Sequence, residues 1–304
     1  MIVHHWDTDG IASAAIYLKI KEEELFTPKI GNFFLDEEDF SVVSSRERVV
    51  ILDMNLPEAA KLCEFAEVYI YDHHRAQRVQ CAKEHYNPYL EGKNYPSCTT
   101  VLMERFSLTP NYLIALGIVG DKGPNAVKSD RWGILKSLEK NGITTSKLRE
   151  AANLLDSSFK LNKRDEVKEN VHLVLKGLDE ILEADNLRSN LETINWEIER
   201  WVSMAEDRGK YLYLVMKSPH HLISSVTREL AWKVGKTAIV INHKIDRDEF
   251  YIRSPDNNFD ALPLIDMARS LGYRAGGKKE VMGAILPRSE GEKFAEKVLE
   301  VLKW

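Results

Sequence analysis

The sequence predicts an α/β protein with a parallel sheet in its first part and a second, smaller α/β domain at its end, with a cleft between the two domains. Short apolar runs alternate with helical patterns between residues 1 and 121. Alternation of strand and helix signals is typical of a parallel sheet. Strand-like runs return after residue 210, and a long stretch with only helical periodicity separates the two parts.

Four apolar runs in the first part each end at acidic residues or histidines. We expect four parallel strands whose carboxyl ends share one crevice, which is where open α/β sheets carry their sites. Gly10 to Lys21 has the periodicity of a helix, and further helices are expected from Pro57 to Phe65 and from Thr99 to Phe106. The four runs, each with the polar residues after it, are Met1–Val3 before His4 to Gly10, Val49–Leu52 before Asp53, Val68–Tyr71 before Asp72-His73-His74, and Leu113–Gly120 before Asp121.

Helical periodicity dominates from about residue 144 to residue 207. We therefore expect a first domain over residues 1–185 with a helical part from about 144, a connecting helix over 186–208, and a C-terminal domain over 209–304. In that last domain, strands are expected at 211–215, 237–241 and 250–252, with helices at 222–234, 262–271 and 291–304.

Composition limits the class of protein. At 304 residues, with 44% hydrophobic and 29% charged residues, the chain is long enough for two cores and has a globular composition. No apolar stretch reaches the roughly 20 residues of a membrane helix, and no secretory signal precedes the first strand, so a cytoplasmic location is expected. Three cysteines without CxxC spacing favour free thiols in a reducing compartment.

Charge is distributed unevenly along the chain. Residues 209–304 carry 16 Lys+Arg and 12 Asp+Glu, whereas the remainder carries 26 and 35. An acidic first part suits divalent cations and a mildly basic second part suits a phosphate chain, although ordinary solvated surface explains an imbalance of this size about as well. Glutamine occurs only twice while lysine and glutamate are abundant, which is a thermophile-like bias.

The residues that come after the strands have the chemistry of a metal centre. In an extended segment, His5, Asp7 and Asp9 would point to the same side, and His4 to the other. Together with Asp53, His73 and Asp121 they supply four carboxylates and two imidazoles. Mixed oxygen and nitrogen ligation without thiolate suits Mn²⁺, with Mg²⁺, Co²⁺ or Zn²⁺ as alternatives, and a carboxylate such as Asp53 can bridge two ions.

These motifs resemble the DHH phosphoesterase superfamily, and His5-x-Asp7-x-Asp9-Gly10 resembles its RecJ-like branch. The resemblance implies that His5, Asp7 and Asp53 bind one Mn²⁺. It also implies that Asp9, Asp53, His73 and Asp121 bind a second. Asp72 would orient the histidines, and His74 would contact the scissile phosphate and stabilise charge on its oxygens.

Two C-terminal segments resemble the substrate-binding segments of the DHH-associated domain. One is Arg253-Ser254 at a strand end, and the other is the glycine-rich loop from Gly276 to Gly283, with Gly277 and Lys278. Backbone amides of paired glycines approach phosphate closely. Lys278 stands where the family loop has histidine, and Val281-Met282 replaces two alanines. A lysine still binds phosphate, but as a point charge.

The resemblance implies a Mn²⁺-dependent exonuclease acting on single-stranded DNA, RNA or both, with 3′ to 5′ direction, and archaeal RecJ-like exonucleases are the most similar group. A helicase or a replication and repair protein would then be a partner, with no membrane. Family members of similar size hydrolyse short RNAs, 3′-phosphoadenosine 5′-phosphate or cyclic dinucleotides, and this alternative stays open. A non-enzymatic replication subunit is the third alternative, which the complete ligand set disfavours.

Overall fold

The computed structural model describes residues 1–255 and 259–304 and divides the chain into two compact units, Met1–Leu191 and Glu192–Trp304. Each unit has its own sheet and its own hydrophobic core. The predicted fold class, a parallel-sheet α/β domain followed by a smaller α/β domain, is confirmed. The described residues contain no helix that is both long and apolar enough to cross a membrane.

The first unit contains a five-stranded sheet in the order β2-β1-β3-β4-β5, and every neighbouring pair is parallel. Its strands are β1 (Ile2–His4), β2 (Leu25–Phe26), β3 (Arg48–Leu52), β4 (Glu67–Tyr71) and β5 (Glu84–Tyr86). The central strands are buried along almost their whole length, which explains why they form near-continuous apolar runs.

Helices pack on this sheet and continue into a helical subregion. They are α1 (Thr8–Ile20), α2 (Glu37–Ser44), α3 (Ala59–Leu62), α4 (Cys98–Arg105), α5 (Tyr112–Lys122), α6 (Ala126–Ser129), α7 (Ile134–Glu139), α8 (Thr145–Lys160), α9 (Arg164–Lys176) and α10 (Leu178–Leu182), with 3₁₀ turns at Pro88–Glu91 and Gly123–Asn125. The last long helix, α11 (Asp185–Ser203), includes the boundary between the two units. Trp6 is 2% exposed, so it is a core anchor of the first unit.

The second unit contains a six-stranded mixed sheet in the order β10-β11-β9-β8-β7-β6. Only β7 and β8 are parallel, and the other neighbouring pairs are antiparallel. The strands are β6 (Glu206–Asp207), β7 (Tyr211–Met216), β8 (Thr237–His243), β9 (Arg247–Arg253), β10 (Arg274–Lys278) and β11 (Val281–Pro287), and the helices are α12 (Ile223–Val234), α13 (Leu262–Ser270) and α14 (Gly291–Leu302). Phe250 and Phe294 meet edge to face in its core.

The cysteine prediction was wrong in part. Cys63 and Cys81 form a disulfide, and only Cys98 is a free, buried thiol. The pair lies 18 residues apart, with Cα atoms separated by 6.0 Å, which is within the range that a disulfide spans. The spacing of the cysteines did not indicate this proximity, because it depends on how the end of α3 and the segment before β5 fold back on β4.

Candidate metal centre

The carboxyl ends of β1, β3 and β4 lie side by side at one edge of the first sheet. His4 is paired with Leu52, and Leu52 with Tyr71, so these three strands end at the same level. Each of these strands is followed directly by the residues that the sequence analysis selected. Three of the four predicted strands therefore end at the shared crevice.

Asp53 lies between two groups of side chains. Its Oδ2 is 3.7 Å from His5 Nδ1, and its Oδ1 is 3.3 Å from His73 Nε2. The backbone of Asp53 has φ of 59°, a left-handed conformation that is uncommon for aspartate. Its amide still donates to Tyr71 O at 3.0 Å, so the turn occurs directly where the strand pairing ends.

His5, Asp7 and Asp53 form the first group, and one ligand atom from each lies within 4.8 Å of the others. His5 Nδ1 is 2.9 Å from Asp7 Oδ2. Asp7 is also the N-cap of α1, where its Oδ1 accepts a hydrogen bond from Gly10 N at 3.1 Å. One carboxylate oxygen of Asp7 thus caps the N-terminus of α1, and the other faces His5.

His73 is at the centre of the second group. Its Nε2 lies 3.3 Å from Asp53 Oδ1, 3.7 Å from Asp9 Oδ2 and 3.8 Å from Asp121 Oδ2. Its Nδ1 donates to Tyr95 O at 3.1 Å, which fixes the tautomer and leaves the Nε2 lone pair directed at the carboxylates. This is the arrangement expected of an imidazole that binds a metal ion.

Asp72 and His74 lie beside this group. His74 Nδ1 donates to Asp72 Oδ1 at 2.8 Å and lies 3.8 Å from Asp53 Oδ1. Asp72 is buried, whereas the His74 side chain is 48% exposed. Burial opposes the charged imidazole, but the hydrogen bond and charge of Asp72 raise the pKa of His74 to about 9. Asp72 therefore favours the charged form of the half-exposed His74.

The carboxylates of the centre lie close together in a buried environment. Burial, and then repulsion from Asp9, Asp7, Asp72 and Asp121, raise the pKa of Asp53 well above its usual range. Burial also raises the pKa of Asp9 to about 6. Asp7 differs, because the charge and hydrogen bond of His5 outweigh burial and lower its pKa to about 2. Such crowding of anions is unfavourable unless a cation neutralises it.

Several ligand atoms in this crevice are buried and have no hydrogen-bond partner among the described residues. They are Nε2 of His5, Oδ1 of Asp53 and Nε2 of His73. Buried polar atoms are normally paired, and exceptions require an explanation such as an ion. The donor set is oxygen and imidazole nitrogen, so the residues fit hard or borderline divalent cations.

Two details of the sequence prediction were wrong although the residues do meet. The run before Asp121 is not a strand but helix α5, capped by Asn111, whose side chain accepts from Leu113 N and Ile114 N. A continuous apolar run does not distinguish a buried strand from a buried helix. Asp9 is not in an extended segment either, because α1 begins at Thr8. His4, as expected, points away from the centre: it is fully buried and contacts Thr27.

The groups that hold the ligands in place were not predicted from the sequence. Cys98 N and Thr99 N, at the start of α4, donate to the two oxygens of Asp9 at 2.6 and 3.1 Å. Asp156 on α8 accepts from Thr8 N at 3.0 Å and from Thr8 Oγ1 at 2.7 Å. Backbone amides have no sequence signature, and a single aspartate in an amphipathic helix resembles any solvated residue.

The predicted substrate-binding residues lie in the second unit. Arg253 is the last residue of β9, and Ser254 follows it, buried, with its amide donating to Glu280 O. The glycine-rich segment is not an open loop but part of the β10–β11 hairpin, in which Gly276 pairs with Gly283 and Gly277 with Met282. Gly277 permits close backbone approach, since a Cβ there would collide with Val281 O. Lys278 ends β10 and is exposed.

Residues 1–118 match the model of the DHH family, N-terminal domain. Among solved structures, RecJ from Thermus thermophilus in complex with Mn²⁺ has a TM-score of 0.69 and 18% identity, over 98% of this chain and 51% of that chain. This chain thus spans about half the length of that RecJ.

Two further solved structures are similar over nearly the whole chain. Exonuclease RecJ bound to manganese has a TM-score of 0.65 and 17% identity, over 98% of this chain and 88% of the other. The pGpG-specific phosphodiesterase of Vibrio cholerae has a TM-score of 0.55 and 13% identity, over 99% of this chain and 98% of the other. A comparison with curated proteins found no match.

The carboxylate–imidazole crevice has the residues to hold a divalent cation, and the chain shares its fold with RecJ and with a pGpG-specific phosphodiesterase. Residues 1–118 therefore match the N-terminal domain of the DHH family, and the chain has the fold of the RecJ structures.

Proposed function

We propose that this protein is a Mn²⁺-dependent phosphodiesterase that binds two ions and shortens single-stranded DNA or RNA from one end. The position of Asp53 carries the proposal, because its two oxygens face two separate ligand groups. His5 and Asp7 would hold one ion with Asp53, and Asp9, His73 and Asp121 the other. The bound ions would supply an activated water and neutralise charge on the phosphate.

The protein's own side chains have distinct roles in this proposal. Asp72 keeps His74 oriented and protonated, and the exposed His74 donates to a phosphoryl oxygen as negative charge builds there. Tyr95 O and the amides of Cys98 and Thr99 keep His73 and Asp9 in position. In the second unit, Arg253, Ser254, Lys278 and the hairpin glycines would hold the phosphate chain.

The finer identity is part of the same proposal. The motif resemblance and the composition favour an archaeal RecJ-like 3′ to 5′ exonuclease such as the Hef-associated nuclease, with a helicase or repair protein as partner. Manganese occurs in the RecJ structures that the fold resembles. Hydrolysis of end-labelled single strands of graded length tests this directly. A ladder of products that requires Mn²⁺, and that the Asp53→Asn variant fails to produce, is the expected result.

A phosphodiesterase for very short substrates is the second candidate. The pGpG-specific enzyme of Vibrio cholerae and this chain cover each other almost completely, which favours it. The same assay separates the candidates, since activity confined to di- and trinucleotides, with longer strands intact, would overturn the exonuclease. A wild-type protein that binds no divalent cation would overturn both.

A further inference from the structure

One face of α12 carries a row of potential ligand-binding side chains. Ser224, Arg228 and Trp232 succeed each other at intervals of four residues, so they share one side of the helix. Ser224 is 3.2 Å from the hydroxyl of Tyr251, which places this side of α12 against β9. Arg253 lies two residues after Tyr251 and therefore on the same face of that strand.

Trp232 lies between two arginines. Its side chain is 61% exposed, and the guanidinium carbons of Arg228 and Arg253 each lie 5.8 Å from its ring centroid. An indole that is largely exposed to water leaves apolar area uncovered, and an aromatic ring of this kind can stack with a nucleobase. The guanidinium of Arg253 beside the ring makes this position attractive for an anion.

Arg253 has unused hydrogen-bonding capacity. Its Nε is buried and has no hydrogen-bond partner within the part of the chain that the structure describes. A buried donor without an acceptor is unfavourable, and an anionic oxygen of a ligand would satisfy it. The backbone beside it is also compact, since Gly283 lies opposite Tyr251 and a Cβ there would approach the tyrosine ring to 2.8 Å.

We propose that Trp232 is a stacking platform for a nucleobase of the substrate strand, next to a phosphate held by Arg253. A nucleotide combines a flat aromatic ring with an anion one sugar away, and this matches an exposed indole beside a guanidinium. Stacking on an aromatic side chain tolerates any base, which suits a strand of arbitrary sequence. This inference rests on the proposed function only in taking nucleic acid as the substrate.

Trp196 provides a matched control within the same unit. It is 60% exposed on α11 and has Arg200 at 5.6 Å, one helical turn away. Trp196 is therefore as exposed as Trp232 and also has one arginine beside its ring. None of the described contacts, however, joins Trp196 to Arg253. Loss of a surface indole as such would affect both variants equally.

The experiment uses single-stranded oligonucleotides with 2-aminopurine at successive positions from the end, added to full-length protein without divalent cations. Stacking quenches the fluorescence of this base. We expect quenching at one or two positions with wild type and Trp196→Ala, retention with Trp232→Phe, and loss with Trp232→Ala. Binding should weaken about 5- to 100-fold in Trp232→Ala. An abasic nucleotide at the quenched position should remove the difference between Trp232→Ala and wild type.

Equal quenching and equal binding of Trp232→Ala and Trp196→Ala would overturn the inference. Because this assay needs no hydrolysis, it is independent of the proposed activity. Quenching that depends on Trp232 in a protein that cleaves no phosphodiester would refute the nuclease and support the platform. Mn²⁺-dependent cleavage with an unchanged KM in Trp232→Ala would support the nuclease and refute the platform.

Discussion

Gly117 lies directly against the carboxylate of Asp9. A Cβ at Gly117 would collide with Asp9 Oδ1 and with Thr99 Oγ1, so the missing side chain provides the space in which Asp9 meets its amide donors. Gly120, one turn further along α5, faces Thr8 in the same way but less tightly, with its nearest contact at 2.8 Å. The helix α5 thus supplies the centre with two glycines as well as with Asp121.

Gly117→Ala should displace Asp9 and weaken Mn²⁺ binding by about 10- to 100-fold, the range found when a group that supports a metal ligand is changed. Gly120→Ala raises helix propensity by the same amount, about 1 kcal/mol, but its added Cβ would meet Thr8 rather than a ligand carboxylate, so we expect a smaller loss of affinity. Calorimetric titration with Mn²⁺ measures the effect. Equal affinities for the two variants would show that the space beside Asp9 is not needed.

Asp53→Asn should stabilise the metal-free protein and abolish its stabilisation by Mn²⁺. The substitution removes a buried charge among other carboxylates, and asparagine tolerates the left-handed backbone at this position. For wild type, Mn²⁺ at about 100 times its Kd should add roughly 2.7 kcal/mol to the free energy of unfolding. Thermal unfolding with and without Mn²⁺ tests both statements, and an equal Mn²⁺ shift in the variant would contradict them.

Asp156→Ala should impair the metal centre although Asp156 does not belong to the proposed ligand set. Asp156 receives two hydrogen bonds from Thr8 and so fixes the first turn of α1, which carries Asp9. We expect a roughly 10-fold loss of Mn²⁺ affinity, with partial recovery in Asp156→Asn. Asp165, an exposed aspartate on α9, gives the control variant Asp165→Ala. A change in unfolding temperature alone, with unchanged affinity, would argue for a purely structural role.

Because of Glu23, the free energy of unfolding of the first unit should vary with pH in the acid range. Partial burial opposes its ionisation, but hydrogen bonds from the Met1 amino group, Lys21 and Arg48 lower its pKa to about 2. A depressed pKa gives stability that is present above the ordinary value near 4.5 and is lost as the pH falls towards 2. Glu23→Gln should cost about 1 kcal/mol at pH 7, after allowance for solvent screening. Urea unfolding from pH 7 to pH 2 should show most of this difference disappearing below pH 4.5.

Because Cys63 and Cys81 form a disulfide, only one thiol, that of Cys98, should react with a thiol reagent when the protein is unfolded without a reductant. Closing a loop of 18 residues stabilises a fold by about 3 kcal/mol, so reduction or the Cys63→Ser/Cys81→Ser double variant should lower the unfolding temperature. Cys98→Ser is a control for the remaining thiol. Three reactive thiols before reduction would contradict the disulfide.

The sequence predicted the site better than it predicted the parts that support the site. Val49–Leu52 and Val68–Tyr71 were recognisable because buried parallel strands are rich in β-branched and aromatic residues, and each ends where polar side chains begin. The run before Asp121 is equally apolar, yet its length and the Asn111 cap make it a helix. Arg253 was found at a strand end, but the short β10–β11 hairpin around Gly276 was not. Glycines give a strand no side-chain pattern to recognise.

The hydrogen bond from Cys98 N to Asp9 connects residues 89 positions apart in the chain. Closing so large a loop costs conformational entropy, so this bond requires that distant parts of the first unit have come together. A chain that ends before α4 lacks the two amides, of Cys98 and Thr99, that donate to Asp9. The exchange rate of the Cys98 amide proton with solvent therefore reports when the crevice has assembled, independently of any ligand.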